Sequence, residues 1–156
     1  MCAFRALPRI IAEILLAAPK SSEICIVSPW IRDVLLKPPI IVGAGGMSAQ
    51  RKTLLSEFLH LLVSRRDVHL HVFVRELDHD IRNVTAKVRA SFPDSLNIHQ
   101  APHLHAKVIA TSNTVLQMSA NLIPTSLYRN IETCAISTNR YGSARTYTHN
   151  ELKLVF

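Results

Sequence analysis

Four polar side chains in the second half of the chain have the types and spacing that chemistry at a phosphate requires. His105 and Lys107 are separated by one residue, and so are Ser119 and Asn121. A neutral imidazole can attack phosphorus, and a lysine ammonium offsets the negative charge of a phosphate. Serine and asparagine donate hydrogen bonds to phosphate oxygens. These residues therefore predict a phosphoryl-binding set.

The spacing of these residues suits two neighbouring β-strands. Successive side chains of a strand face opposite sides, so each of the two pairs lies on one face of its strand. We predict a hairpin with a three-residue loop at residues 112–114, in which His105 lies opposite Asn121 and Lys107 lies opposite Ser119. In that register the four side chains form a single polar patch.

Helices and strands must position this patch. Along the chain they first alternate, and several strands then follow one another. Such an order predicts one α/β domain over residues 1–156 with a mixed sheet. Hydrophobic periodicity predicts helices over 5–18, 48–64 and 79–91, a loop over 38–46, and strands over 24–27, 68–74, 96–99, 104–111, 115–120 and 131–137.

Composition excludes several classes of protein. With 156 residues, 48% hydrophobic content and a mean hydropathy of +0.18, the chain is large and apolar enough to bury a core, which excludes disorder as its main state. No apolar run reaches the roughly 18 residues of a transmembrane segment. Glu13 interrupts the first apolar stretch, which favours a helix there over a signal peptide. Three widely spaced cysteines favour a reducing, cytoplasmic compartment.

The charge balance favours a polyanionic partner. The formal net charge is +7 and the sequence pI is near 9.8. Nucleic acid and anionic phospholipid both attract such a surface, and charge alone does not choose between them.

With Glu132 added, the motifs resemble those of the phospholipase D superfamily. The runs His105-x-Lys107, Ser119-x-Asn121 and Asn130-Ile131-Glu132 follow the superfamily pattern HxK…(G/S)SxN…E, and Ser28-Pro29-Trp30 after the first strand is also similar. The similarity extends over residues 22–137. It implies a phospholipase D-like mixed β-sheet flanked by helices on both faces.

The resemblance also implies a role for each residue. His105 would be the nucleophile that forms a phosphohistidine intermediate. Lys107 and Asn121 would hold the phosphate oxygens, with assistance from Ser119. Glu132 would orient the histidine through its second ring nitrogen. The resemblance implies no metal and no cofactor.

The chain departs from the superfamily pattern at two positions and carries only one HxK motif. Ser112 stands where relatives have Asp, and Met118 stands where they have Gly. We expect Met118 to fill a gap in the apolar face. Because the superfamily mechanism uses two histidines, the resemblance to small single-motif bacterial endonucleases implies a homodimer that joins two half-sites. A fragment of, or a partner for, a larger protein is the alternative.

Two further residues are candidates for substrate binding. His103 would share the strand face of His105, and Trp30 follows the end of a strand, where α/β folds often place loops that face a ligand. His69 and His71, on the second face of the 68–74 strand, are expected to contact covering helices or water.

These features predict a metal-independent phosphodiesterase, specifically a nuclease acting on nucleic-acid phosphodiester bonds as a homodimer. One alternative is a phospholipid-directed phosphodiesterase or phosphatidyl transferase. The other is an inactive nucleic-acid-binding or assembly module in which Ser112 has replaced the usual Asp.

Overall fold

The computed structural model describes residues 6–37, 52–130 and 132–156. Its helices are α1 (Leu7–Ala17), α2 (Leu55–Arg66), α3 (His79–Ser91), α4 (Pro124–Tyr128) and α5 (Ala144–Leu152). Its strands are β1 (Glu23–Val27), β2 (Leu35–Leu36), β3 (Thr53–Leu54), β4 (His69–Val74), β5 (Leu96–Gln100), β6 (Val108–Ala110), β7 (Thr114–Met118) and β8 (Cys134–Thr138).

Six of these strands form a mixed sheet in the order β5-β4-β1-β6-β7-β8, and β2 pairs with β3 separately. Neighbouring strands are parallel from β5 to β1 and antiparallel from β1 to β8. The predicted mixed sheet is therefore confirmed. Strand β8 forms one edge of this sheet, and most of its side chains are exposed.

Helices cover both faces of the sheet, as the resemblance implies. One core joins the apolar faces of α1, α2 and α3 to one side of the sheet, where Ile26, Val72 and Ile109 are buried. A smaller core joins α5 to the other side through Tyr147 and Val108. Strands β1 and β4 have near-continuous apolar sequences because their side chains are buried on both faces of the sheet.

The strongest periodic signals predicted their elements well. Helix α3 covers the predicted 79–91, and its expected inner residues Ile81, Val84 and Val88 are buried. The Asp78 side chain begins this helix by accepting a hydrogen bond from the Ile81 amide at 3.0 Å. Helix α1 and strands β1 and β4 also lie where the pattern placed them.

The second predicted helix begins later than its pattern indicated. Residues 48–51 lie outside the described part of the chain, and so does the predicted loop 38–46. Thr53 and Leu54 pair with β2 instead of joining the helix, so α2 begins at Leu55. The Ser56 amide donates to Asp33 Oδ1 at 2.9 Å, which fixes this first turn against the preceding loop.

Strand β5 covers the predicted 96–99 and adds Gln100, whereas β6, β7 and β8 are shorter than predicted. The predicted strand 104–111 is reduced to β6, because residues 104–107 are not in strand conformation, and β7 ends at Met118. Strand β8 begins at Cys134; residue 131 lies outside the described part. Helices α4 and α5 and the β2–β3 pair were not predicted.

The predicted hairpin register is wrong by one residue. Val108 pairs with Gln117, and the Lys107 carbonyl accepts a hydrogen bond from the Met118 amide at 2.9 Å, so Lys107 does not lie opposite Ser119. His105 correspondingly does not pair with Asn121.

Thr111 is the physical reason for the shorter loop. Its amide donates to the Thr114 carbonyl at 2.8 Å, and its hydroxyl accepts from the Thr114 amide at 3.0 Å and from the Asn113 amide at 3.3 Å. A side-chain oxygen that satisfies loop amides stabilises a tight turn. The loop is therefore two residues long, Ser112 and Asn113, instead of three.

In the described part of the chain, no helix is both long enough and apolar enough to span a bilayer.

Candidate functional site

The strand ends at one end of the six-stranded sheet carry the candidate site. Strands β1 and β4 run parallel and both end there, with Val27 beside Phe73. Strand β6 begins there, because Val108 pairs antiparallel with Val27. Strand β7 ends there and β8 begins there, with Met118 beside Cys134. The strand ends here are preceded or followed by the candidate site residues, which are Trp30, His103, His105, Lys107, Ser119, Asn121 and Glu132.

His105 and Lys107 lie in the irregular segment that leads into β6. The His105 side chain is exposed and the Lys107 side chain is half-buried. Lys107 Nζ donates a hydrogen bond to the His105 carbonyl at 2.8 Å, so the ammonium is held next to the histidine backbone. The imidazole is therefore open to a ligand.

Arg75 is part of this site although the sequence analysis did not identify it. Its Nη2 donates to the Leu104 carbonyl at 2.8 Å and lies 3.2 Å from His105 Nδ1. Its Cζ lies 4.6 Å from the ring centroid of Trp30, a cation–π contact. A usable sequence signal was present, because residue 75 directly follows β4 just as the Ser-Pro-Trp run directly follows β1.

Ser119 and Glu132 contact each other at the neighbouring strand ends. The Ser119 hydroxyl donates to Glu132 Oε2 in a short hydrogen bond and accepts from the Thr133 amide at 2.9 Å. The partner that the structure gives Glu132 is thus Ser119, whereas the resemblance implied His105. Both carboxylate and hydroxyl lie on the side of the site formed by β7 and β8.

Asn121 follows β7 and has an unusual side chain. Its Oδ1 is buried and has no hydrogen-bond partner within the described residues. A buried acceptor without a partner costs about 1–3 kcal/mol, so a structure retains one where the group has another use. The segment is fixed nearby, because the Leu122 amide donates to Ser28 Oγ at 3.2 Å, and Ser28 Oγ donates to the Trp30 carbonyl at 2.8 Å.

The two candidate substrate-binding residues are both exposed. Trp30 is 44% exposed, which is high for an indole, and it lies over the guanidinium of Arg75. His103 lies in an exposed turn two residues before His105. Because this segment is not a strand, the argument that His103 shares a strand face with His105 is wrong.

The departures from the superfamily pattern have clear structural settings. Met118 is 9% exposed and packs in the larger core, which confirms the expectation that it fills the apolar face. Ser112 lies in the hairpin loop, where Thr111 supplies the side-chain bonds that hold the turn.

Three histidines elsewhere form a separate cluster, which we call the inner histidine cluster: His69, His71 and His99. His71 Nε2 lies 3.1 Å from Glu23 Oε1, and its Nδ1 lies 3.3 Å from His99 Nε2. Burial lowers the pKa of His71 and of His99. The expectation that His69 and His71 contact helices or water was incomplete, because His71 packs between these neighbours and the ring of Phe156.

Within residues 6–37, 52–130 and 132–156, no group of three or more His, Cys, Asp or Glu side chains is arranged to hold a metal ion. The polar groups at the described site are an imidazole, two cationic side chains, an amide and the hydroxyl–carboxylate pair of Ser119 and Glu132. The cationic and amide donors of this set are suited to phosphate oxygens.

No protein-family model matches the sequence, and no curated protein matches it. Solved structures do resemble it. One is Nuc from Salmonella typhimurium, a phospholipase D family member, with a TM-score of 0.59 and 15% identity over 92% of this chain and 83% of that chain. NucT from Helicobacter pylori has a TM-score of 0.49 and 15% identity over 92% of this chain and 82% of that one.

A third similar structure is TrmBL2, an archaeal chromatin protein described as showing a novel mode of DNA binding. Its TM-score is 0.58 at 12% identity, and the alignment covers 98% of this chain and 50% of that chain. This chain therefore spans about half the length of TrmBL2. From the sheet order, the two helical layers and the likeness to Nuc, we conclude that the chain has the phospholipase D-like fold.

Proposed function

We propose that the chain is a metal-independent phosphodiesterase of the phospholipase D type that hydrolyses nucleic acid. The observation that supports this most is the convergence of His105, Lys107, Ser119, Asn121 and Glu132 at one end of the sheet. The fold resembles that of Nuc, which is described as a phospholipase D family member.

In the proposed reaction, a ring nitrogen of His105 attacks the phosphorus. An N–P bond forms while the bond to the leaving oxygen breaks, and a second histidine gives that oxygen a proton. Water then attacks the phosphohistidine and restores the free imidazole. The ammonium of Lys107 and the amide of Asn121 stabilise the negative charge that develops on the phosphate oxygens.

The second histidine of this mechanism comes from a second copy of the chain. The sequence has a single HxK motif, so a symmetric homodimer would bring two His105 side chains together. Exposure of His105 supports this proposal, because a buried imidazole could not meet a partner.

Charge and an exposed aromatic ring together support nucleic acid as the substrate. The net charge of +7 favours a polyanion, and Trp30 beside the site offers a surface on which a base can stack. The wide spacing of the cysteines predicted a reducing, cytoplasmic compartment, but Cys134 is disulfide-bonded, so the structure does not support that argument.

The decisive experiment incubates the purified chain in EDTA with plasmid, single-stranded DNA, RNA and a labelled phospholipid. We expect cleavage of nucleic acid by the wild type and none by His105→Ala. Activity that EDTA abolishes, or that survives in His105→Ala, would contradict the proposed mechanism. Cleavage of the phospholipid alone would instead support the lipid-directed alternative, and the mass of the native complex tests the homodimer.

A nucleic-acid-binding module without catalysis is the second candidate. The likeness to TrmBL2, a protein described as binding DNA, favours it, and so does Ser112 in place of the usual Asp. This candidate predicts salt-dependent DNA binding by the wild type and by His105→Ala alike, with no product from either.

A further inference from the structure

Arg75 connects three parts of the candidate site that are distant in sequence. Its backbone amide donates to the Pro29 carbonyl at 3.2 Å, and its guanidinium contacts Trp30, Leu104 and His105. Its Nε is buried and has no hydrogen-bond partner within the described residues. This guanidinium is therefore held in place by the site and is not simply a solvated surface charge.

The contact between Arg75 and His105 decides which ring nitrogen of the neutral imidazole carries the proton. A guanidinium has only donors, so Nη2 at 3.2 Å from Nδ1 requires that Nδ1 accept the hydrogen bond. A neutral imidazole with a free electron pair on Nδ1 carries its proton on Nε2.

This form of His105 is unsuited to either catalytic role through Nε2. Nucleophilic attack needs an electron pair on the attacking nitrogen, and here Nε2 holds a proton. Donation of a proton to a leaving oxygen requires an imidazolium, since a neutral ring that lost its Nε2 proton would become an anion. The contact with Arg75 thus defines a resting form.

We propose that Arg75 is a positioning residue that holds His105 in the resting Nε2–H tautomer and moves its guanidinium from the imidazole to a phosphate oxygen when substrate binds. Guanidinium groups pair strongly with phosphate, often through two hydrogen bonds, so an arriving phosphodiester competes well for Arg75. Once Nδ1 is released it can take the proton, and the electron pair on Nε2 becomes available. The inference rests on the proposed function, since it assigns His105 a role at phosphorus.

The first test observes the tautomer directly and needs no catalytic activity. Long-range ¹H–¹⁵N NMR spectra of the wild type should show the Nε2–H pattern for His105, and Arg75→Met should shift the population toward Nδ1–H. Arg75→Lys restores a donor and a charge, so it should restore part of the wild-type pattern. Arg89→Met is the matched control, because Arg89 is exposed on α3 and its loss changes the net charge equally.

The second test adds inorganic phosphate as the probe. Phosphate should shift wild-type His105 toward Nδ1–H and change the fluorescence of Trp30, the single tryptophan of the chain, because the guanidinium leaves its ring. Arg75→Met should bind phosphate about 10-fold more weakly, which corresponds to about 1.4 kcal/mol, and should show neither response, because the charged hydrogen bond is lost. A thermal midpoint equal to that of Arg75→Lys confirms that the variant is folded.

A third test measures KM and kcat separately, with whichever nucleic acid the wild type cleaves in the EDTA experiment. Arg75→Met should raise KM about 10-fold and change kcat much less, since the guanidinium acts through binding and release. A purely structural role would instead lower the amount of folded enzyme without changing KM.

Specific results would overturn the inference. It is wrong if resting wild-type His105 is mainly Nδ1–H or doubly protonated at neutral pH, or if phosphate leaves its tautomer unchanged. Absence of any hydrolysis, combined with the expected NMR responses, would instead reject the proposed enzyme function and leave the Arg75 contact and its release by phosphate supported.

Discussion

Histidines occur in two regions of this molecule, and their surroundings are opposite. His105 lies exposed at the end of the sheet beside cations and amides. His71 is 1% exposed in the inner histidine cluster, where a carboxylate, a second imidazole and the ring of Phe156 surround it. Both lie on or next to sheet strands, and both have a polar partner on Nδ1.

The comparison shows that access and neighbours distinguish a reactive imidazole from a structural one. Around His71 the polar partners are already satisfied by one another, so little capacity remains for a ligand. Around the exposed His105, the Asn121 oxygen and the Nε of Arg75 have no hydrogen-bond partner among the residues that the structure describes, so polar capacity remains. We therefore expect substitutions around His105 to change activity and substitutions in the inner histidine cluster to change stability.

The largest expected effect is the loss of activity in His105→Ala. Removing a nucleophile should lower kcat by about 10³-fold or more. The free energy of unfolding should change by less than about 0.5 kcal/mol, because the side chain is exposed. Rates measured with and without EDTA, together with urea unfolding, check both statements. If His105→Ala were clearly less stable than the wild type, His105 would have a structural role like that of His71, and the comparison would be wrong.

Asn121→Ala should lower kcat about 10²-fold by removing an amide that stabilises charge on phosphate. The same change removes the buried Oδ1, which has no hydrogen-bond partner in the described part of the chain, so the free energy of unfolding should stay equal or rise. Steady-state kinetics and denaturant midpoints provide the measurements. Loss of activity together with lower stability would show that Asn121 is structural.

His71→Ala should act in the opposite way. It leaves a cavity and removes the partner of Glu23 and His99, so we expect a loss of about 2 kcal/mol in the free energy of unfolding. Catalysis by the folded fraction should equal that of the wild type. If the fully folded variant had a much lower kcat, the inner histidine cluster would contribute to catalysis, and the contrast between the two regions would be wrong.

The smallest effect is the dependence of stability on pH. Because burial lowers the pKa of His71 below its unfolded value near 6.5, the unfolded chain binds more protons, and stability is lost as pH falls below about 6.5. The slope from one such group is at most about 1.4 kcal/mol per pH unit, or roughly 3 °C in Tm. The groups that face it are Glu23, His69, His99 and Arg145.

Thermal melts of the wild type and His71→Phe at pH 7.0 and about 5.5 test this dependence. The variant should lose less stability than the wild type over the same interval. Equal losses would place the responsible protons elsewhere in the molecule.

The sequence predicted those elements whose apolar spacing is strong. Helix α3 has a regular apolar face and a capping aspartate, and β1 and β4 are continuous apolar runs. Helix α5 was missed because it buries Ala144, Tyr147 and Thr148, small or polar side chains with weak periodicity. Strand β8 lies at an edge with little burial, so alternation of its side chains carried little information.

For the site, the sequence predicted that the motif residues form one polar patch on two paired strands, whereas the structure gives these strands a different pairing and places the residues beside the strand ends. Alternation of polar side chains favoured one register, whereas a hydroxyl of Thr111 stabilised the other. Arg75 was missed because nothing in the spacing of residues 75 and 105 relates them. Only the parallel pairing of β1 and β4, which brings Trp30 and Arg75 to one place, makes the connection.

A hairpin tip is usually where a chain accepts an extra residue without harm. The tip at Ser112 and Asn113 differs, because the Asn139 side chain donates to the Thr111 carbonyl at 2.7 Å and its backbone amide donates to the Asn113 carbonyl at 2.8 Å. One inserted residue would break these bonds or rotate β7 by half a turn, which would carry Met118 to the outside and Gln117 into the interior. The length of this loop therefore sets the register of β7. A library of random insertions should contain few folded molecules with an insertion at Ser112 or Asn113.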